Sequence, residues 1–461
     1  MPDDVPPGGG LAPRRGQAIF GVLRPPDVLS GDLRLGARRS TLPQGNSIVG
    51  GAAMGSVTRR TFGAAAASTL ALCAFPRRLS AEAAKLKVGL LLPRSGLQAL
   101  IGQSCQRGAD VAPELLRQRL GVDVELMNAD TESNVDTARS RAERLIEQGA
   151  HVLVGAFDSG HTAAIAQVAE QRGVPHIVNI AAAPQITEQG YKFVFRNFPP
   201  APEIGRNGLV LLGDIFGEAK VAPKTAVFMH VNDTFGQAMA KGVAALLPKL
   251  SLPFKVLDTI PYDPAAKDLT VEVSKAKATN AELLLLVCRL NDAIVLRREM
   301  VKQRWSPMGV VSPGSPGLYE EQFSKGLGKY ADNCISNTVW FNPKNPITHE
   351  FAAAFKKRFP KDEFAFHGIN ASYTFDAVLI AADAFKRARS TDPKALAEAI
   401  RQTNIPATER VSFGGPIKFN AKGQVEGNRS VVIQNLHGKP TVVLPPELAE
   451  GKLVFPMPKV S

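Results

Sequence analysis

Lys87-Val88-Gly89-Leu90-Leu91-Leu92-Pro93 is a short apolar run stopped by proline, the pattern of a strand buried in a sheet. Residues 105–120 follow with Val111, Leu115 and Leu116 on one side, which predicts a helix. Residues 122–127 then alternate apolar and acidic side chains, as a strand near a sheet edge does. The alternation continues with a helix over 137–148 ended by Gly149 and a strand over 152–154. A helix over 162–171 ended by Gly173 and a strand over 175–180 complete this part. A strand–helix series of this kind folds as a parallel sheet with helices on both faces.

A second series begins at a strand over 224–231. It runs through a helix (235–247), a strand (255–260), a helix (268–279), the strand 282–287, a helix (290–303) and a strand (308–311). Helices over 348–359, 372–389 and 393–402 follow, and strand-like pieces at 416–419 and 430–434 end the chain. Ser312-Pro313-Gly314-Ser315-Pro316-Gly317 sits at a strand end, where open α/β sheets hold ligands.

Upstream, Thr58-Arg59-Arg60-Thr61-Phe62 precedes a mildly apolar run from Gly63 to Phe75, and Ala81-Glu82-Ala83 fits a cleavage site. This is the layout of a twin-arginine export signal, and the apolar run is too short for the ~20 residues that span a bilayer. Leu72 before Cys73 is too large for a lipoprotein box. The 53 residues before Met54 are rich in Gly, Pro and Arg without apolar periodicity. The expectation is therefore a disordered or untranslated segment over 1–53 and a signal peptide over 54–84.

The chain carries 55 basic and 42 acidic side chains. Ten Arg and five acids lie in residues 1–84, so 85–461 is left near +8 with no Lys/Arg run, which argues against nucleic-acid binding. Cys105, Cys288 and Cys334 form no CxxC; one disulfide would suit an oxidising compartment, but the spacing chooses no pair. No metal motif, P-loop or G-x-G-x-x-G is present, and no cofactor is expected. Asp158, Ser159 and His161 have the side chains of a hydrolase triad but lie within four residues, and Phe157-Asp158-Ser159-Gly160 is not a nucleophile elbow. His230, His367 and His437 are scattered, so no catalytic residue is assigned.

Five stretches in order resemble a known family, the type I periplasmic solute-binding proteins, and within it the branched-chain amino-acid receptors of ABC importers. They are Lys87 to Gly96, Val154 to Thr162, Ala181 to Tyr191, Asp233-Thr234-Phe235-Gly236, and Phe413 to Gln424. The likeness covers about 85–440. It implies an α/β fold of two Rossmann-like lobes with parallel sheets, ligand in the cleft between them and hinge closure. Three crossings are placed near 194–199, 336–341 and 413–416. Lobe 1 is then 85–198 with 337–413, lobe 2 is 199–336 with 414–450, and 451–461 is a tail. The partners implied are a small-molecule ligand and an ABC permease in the inner membrane. The receptor would be a periplasmic monomer; a binding protein that reports to a membrane signalling receptor uses the same fold.

Ligand contacts are expected at Ser95, Ile101, Ser159, Gly160, Ala181, Ala182, Phe235, Gly314 and Ser315, and at Arg289, which departs from the family pattern and is read from its place at a strand end. Ser159 and Thr162 open a helix, whose free N–H groups attract a carboxylate, although both residue types also cap helices. Phe235 would lie over the ligand or in the core. The family's Thr or Ser at the third loop is Ala182 here, and its acid after strand 308–311 is missing from Pro313-Gly314-Ser315. Arg289 instead stands at the end of strand 282–287, suited to bidentate carboxylate binding or to pairing with Asp292. Asp292 would serve a ligand ammonium or cap the next helix. The expected ligand is a small carboxylate, an organic or aromatic acid or a branched-chain-type amino acid.

Overall fold

A computed structural model describes residues 85–459; the leader, the arginine pair and 460–461 lie outside the described residues. The first sheet is built from β1 (Leu86–Leu92), β2 (Val124–Asp130), β3 (Val152–Gly155), β4 (His176–Val178) and β5 (Val194–Arg196), in the order β2-β1-β3-β4-β5. All its pairs are parallel, and the half-exposed β2 is at an edge, as its alternation requires. The connecting helices are α1 (Ala99–Leu120), α2 (Val135–Glu147), α3 (Ser159–Arg172) and the short α4 (Gln185–Glu188). Gly121 and Gly173 end α1 and α3 in left-handed conformations, where a side chain would be strained.

The sequence reading passes over α5 (Ala201–Ala219), which enters the second lobe. It is apolar on several sides and bounded by Pro200 and Lys220 rather than by strong stop signals. There follow β6 (Thr225–Val231), α6 (Thr234–Leu246), β7 (Lys255–Tyr262), α7 (Thr270–Ala278) and β8 (Leu283–Val287). Next come α8 (Leu290–Lys302), β9 (Gly309–Ser312), α9 (Glu321–Leu327) and β10 (Ile335–Val339). Helices α10 (Pro346–Arg358), α11 (Phe364–Ala388) and α12 (Pro393–Arg401) then precede β11 (Ser430–Leu436) and β12 (Lys439–Leu444). The second sheet has the order β12-β11-β10-β9-β8-β6-β7. It is parallel except where β11 pairs antiparallel with both β10 and β12.

The strand expected over 416–419 is absent: Ile417 and Phe419 make only isolated bridges, to Ile405 and Val425. This stretch belongs to a crossing, where Arg196 N donates to Gly423 O and Phe413 N to Trp340 O. Helix α11 returns to the first lobe against α1, so closely that a Cβ on Gly108 would lie 2.1 Å from the Ala371 carbonyl oxygen. The stretch expected as a tail is packed: Met457 is buried and its N–H donates to Met308 O. Cys105, Cys288 and Cys334 are buried free thiols. Among the described residues no helix is long and apolar enough to cross a membrane.

Candidate functional site

The N-termini of three helices meet where the lobes face each other. Asp158 caps α3, accepting from Gly160 N at 2.8 Å and His161 N at 3.3 Å. Asp233 caps α6, accepting from Gly236 N at 2.7 Å. Arg289 stands at the N-cap of α8 and joins the other two. Its Nη2 donates to Asp158 Oδ2 at 3.0 Å and to Asp233 Oδ2 at 2.8 Å, and its Nε donates to Asp233 Oδ2 at 3.1 Å. The guanidinium also lies 5.2 Å from the ring centre of Phe157 and 4.6 Å from that of Phe235.

Electrostatics follows from this geometry. Burial works to raise the Asp158 pKa, but the Arg289 charge beside it prevails and holds it below the usual carboxylate range. Burial works to lower Arg289, and Asp233 and Asp158 together hold it up. Asp292 is not the partner of this guanidinium. Its carboxylate accepts from the Arg289 backbone N–H at 3.0 Å and from Tyr262 Oη at 2.8 Å, and burial pushes it up to about 6. Asp292 is thus the cap of α8.

A nearly closed cavity of about 20 Å³, room for about one water, lies between the lobes. Its apolar wall is Phe157, Ile180, Ala182, Phe198, Phe235, Pro316 and Ile369, with Gly314 also on the wall. Its polar wall is Arg289, Tyr319, Thr338 and Asn370. Arg289 Nη1, Tyr319 Oη and Thr338 Oγ1 form no hydrogen bond with a described residue. Asn370 Nδ2 donates to Glu320 Oε1 at 3.0 Å, and Asn370 Oδ1 is buried without a partner. A second space of about 240 Å³ at the mouth is lined by the Gly96-to-Ile101 loop, Pro264 and Arg289 to Asp292. There Asn291 Nδ2 donates across to Leu97 O at 2.8 Å. Arg289 belongs to both spaces.

Of the residues assigned from sequence, Ala182, Phe235, Arg289 and Gly314 line the inner cavity, and Ile101 lines the outer space. Ser95, Ser159, Gly160, Ala181 and Ser315 line neither. The N–H groups expected to be free at the start of α3 are capped by Asp158, and the Ser159 hydroxyl accepts from Ala183 N inside the lobe. Thr162 is no cap either; its hydroxyl donates to Ala156 O and closes that loop. Ser315 Oγ accepts from Cys288 N at 2.9 Å and bonds Ser312. Ala181 O accepts from Arg196, a buried cation that also holds Ala183 O, Thr187 Oγ1 and Gln424 Oε1 and so fixes the third loop to a crossing. An acid does follow β9: Glu320 is buried behind Asn370, and burial pushes it up to about 7. It lies beyond the stretch read from sequence and off the cavity wall.

The sequence reading missed Phe157, Tyr319, Thr338 and Asn370 on the cavity wall, and the pairing of Arg289 with two helix caps. Asp158 and Asp233 carried a local cap signal, each just before a helix, but nothing in their spacing points to Arg289, which lies 56 residues from Asp233 and in the other series from Asp158. Among the described residues no group of three His, Cys, Asp or Glu side chains could hold a metal ion.

Residues 85–437 match the family described as Periplasmic binding protein. A Leu/Ile/Val-binding protein homolog 7 of Brucella suis is 24% identical over 390 residues, covering 81% of this chain and 94% of the relative. A leucine-binding protein of Thermotoga maritima superimposes with a TM-score of 0.66 at 21% identity, covering 77% of this chain and 97% of that one. A solute-binding protein of an ABC transporter from R. palustris, solved with benzoate, gives a TM-score of 0.64 at 21% identity over 80% of this chain and all of its own.

Proposed function

We propose, for a chain that belongs to the periplasmic binding protein family and so binds solute, that it is the extracytoplasmic receptor of an ABC importer and that its ligand is a small carboxylic acid with an aromatic or branched apolar body. The observation that carries this reading is the interlobe cavity: aromatic and aliphatic walls around three groups able to donate and without a partner among the described residues, Arg289 Nη1, Tyr319 Oη and Thr338 Oγ1. Such a set suits an oxyanion head and a flat apolar tail once the lobes part to admit them. An ammonium finds less. The Asp158 and Asp233 carboxylates are engaged by helix N–H groups and by Arg289, and Glu320 lies off the wall. A simple organic acid therefore fits better than an amino acid, in line with the benzoate-bound relative.

In this reading the protein has no catalytic role, works as a monomer in the periplasm with a membrane permease as partner, and is exported through the Arg59-Arg60 signal. The lobe boundaries read from sequence, 85–198 with 337–413 and 199–336 with 414–450, belong to the same proposal. Calorimetry of the protein with benzoate, hydroxybenzoates, leucine and valine tests the ligand class. Saturable binding of the aromatic acids with none of leucine or valine is expected; tight leucine or valine binding with no response to simple acids overturns it.

A further inference from the structure

An open groove of about 410 Å³ lies on the second lobe, where the last turns of α8 meet Trp305, Ser306, Tyr330 and Lys459. It shares no residue with either cleft space. Arg297, Met300, Val301 and Arg304 recur at the spacing of one helix face and line it. Arg297 lies two turns along α8 from Arg289, about 12 Å by helical rise. Its residue is only 4% exposed. Its Nε donates to Tyr330 O at 2.8 Å, and neither Nη1 nor Nη2 meets a hydrogen-bond or ion-pair partner among the described residues. Arg304 and Lys459 are exposed at the rim, and among the described residues no carboxylate is on the lining. The acid nearest in sequence, Glu299, is engaged by Lys302 and Gln303, and Asp332 by Gly438 N.

The stem of Arg297 is buried while its two terminal nitrogens open onto the groove, within reach of an oxyanion. The negative end of α8, about half a charge, works against an anion here, but three cations outweigh it. We infer that this groove is a second ligand site, for a phosphate-type oxyanion gripped by Arg297 and shielded by Arg304 and Lys459, with Trp305 and Tyr330 as its walls. The planar fork of Arg297 suits two oxygens of one anion. The site stands independently of the ligand proposed for the cleft.

Titration of the protein with inorganic phosphate at low ionic strength tests it, by calorimetry and by tryptophan fluorescence. The chain has two tryptophans, and Trp340 is buried at 1% exposure, so Trp305 reports on the groove. Saturable one-site binding is expected. It should weaken at least tenfold in Arg297→Gln and again in the pair Arg304→Gln with Lys459→Gln, with aromatic-acid binding unchanged. Non-saturable binding, or phosphate affinity equal to the parent in the variants, overturns the inference. If Arg297→Gln does not fold, the Arg304/Lys459 pair decides. Phosphate displaced by a cleft-bound acid would likewise overturn it.

Discussion

At the scale of single residues, Arg289 joins two lobes, two helix caps and two cleft spaces. Its replacement by alanine removes the only cation on the cavity wall among the described residues and leaves Asp158 and Asp233 facing each other's charge. The expected loss of carboxylate affinity is about 2–5 kcal/mol, read by calorimetry, as for truncating one member of a buried charge pair. Unchanged affinity would remove Arg289 from the site. Glu320 has a different part. Its pKa is about 7 in the fold against 4.5 for an ordinary Glu, so the folded state binds this proton more tightly than the unfolded chain does. Its burden on stability is absent well below pH 4.5, grows as pH rises and is full above about 7, where it is worth about 3 kcal/mol. Glu320→Gln should therefore raise Tm clearly at pH 8 and little at pH 5, by scanning calorimetry. His176 and His367 act in the opposite direction: burial pushes both down to about 4, so they stay neutral in the fold. Their contribution is complete above about 6.5 and is lost as pH falls toward 4. Removing the Glu320 carboxylate should expose that acid loss as a steeper slope between pH 6.5 and 4.

At the scale of elements, two close approaches decide how the helices sit. A Cβ on Gly108 of α1 would meet the Ala371 carbonyl of α11 at 2.1 Å, and one on Gly236 of α6 would meet Val231 O at 1.7 Å. Backbone cannot yield as a flexible side chain does, so Gly108→Ala should cost about 3 kcal/mol of stability through overpacking. Gly213 on α5 has nothing within 4 Å of its would-be Cβ, so Gly213→Ala should stabilise by about 0.5–1 kcal/mol through helix propensity alone. Denaturant melts of the two variants make the comparison; equal effects would refute the packing account. The strand–helix alternation around β1, β3, β6 and β8 was legible because each strand is a short buried apolar run between turn signals. Helix α5 was not, because it lacks a side-chain cap and its apolar residues spread beyond one stripe.

At the scale of the whole molecule, the lobes meet through Arg289 on Asp158 and Asn291 on Leu97, contacts that closure makes and opening must break. In the proposed reading, delivery to the periplasm rests on the Arg59-Arg60 signal. Replacing Arg59 and Arg60 together by lysine should leave the protein in the cytoplasm, as read by fractionation; unimpaired recovery from the periplasm would rule out the twin-arginine route. The local periodicities of the chain were enough to establish two α/β series, their order and the family they resemble, because strands and helices repeat every two or 3.6 residues along the sequence itself. The ligand loops were legible as loops, at strand ends and helix starts. Which of their side chains face the cavity was not. Ser159 turned inward to Ala183, Asp158 took the N–H groups expected for a ligand, and Arg289 reached a carboxylate 131 residues away. Those choices depend on how closely two lobes approach and which buried charges then find each other, and only the tertiary structure brings such distant groups within reach.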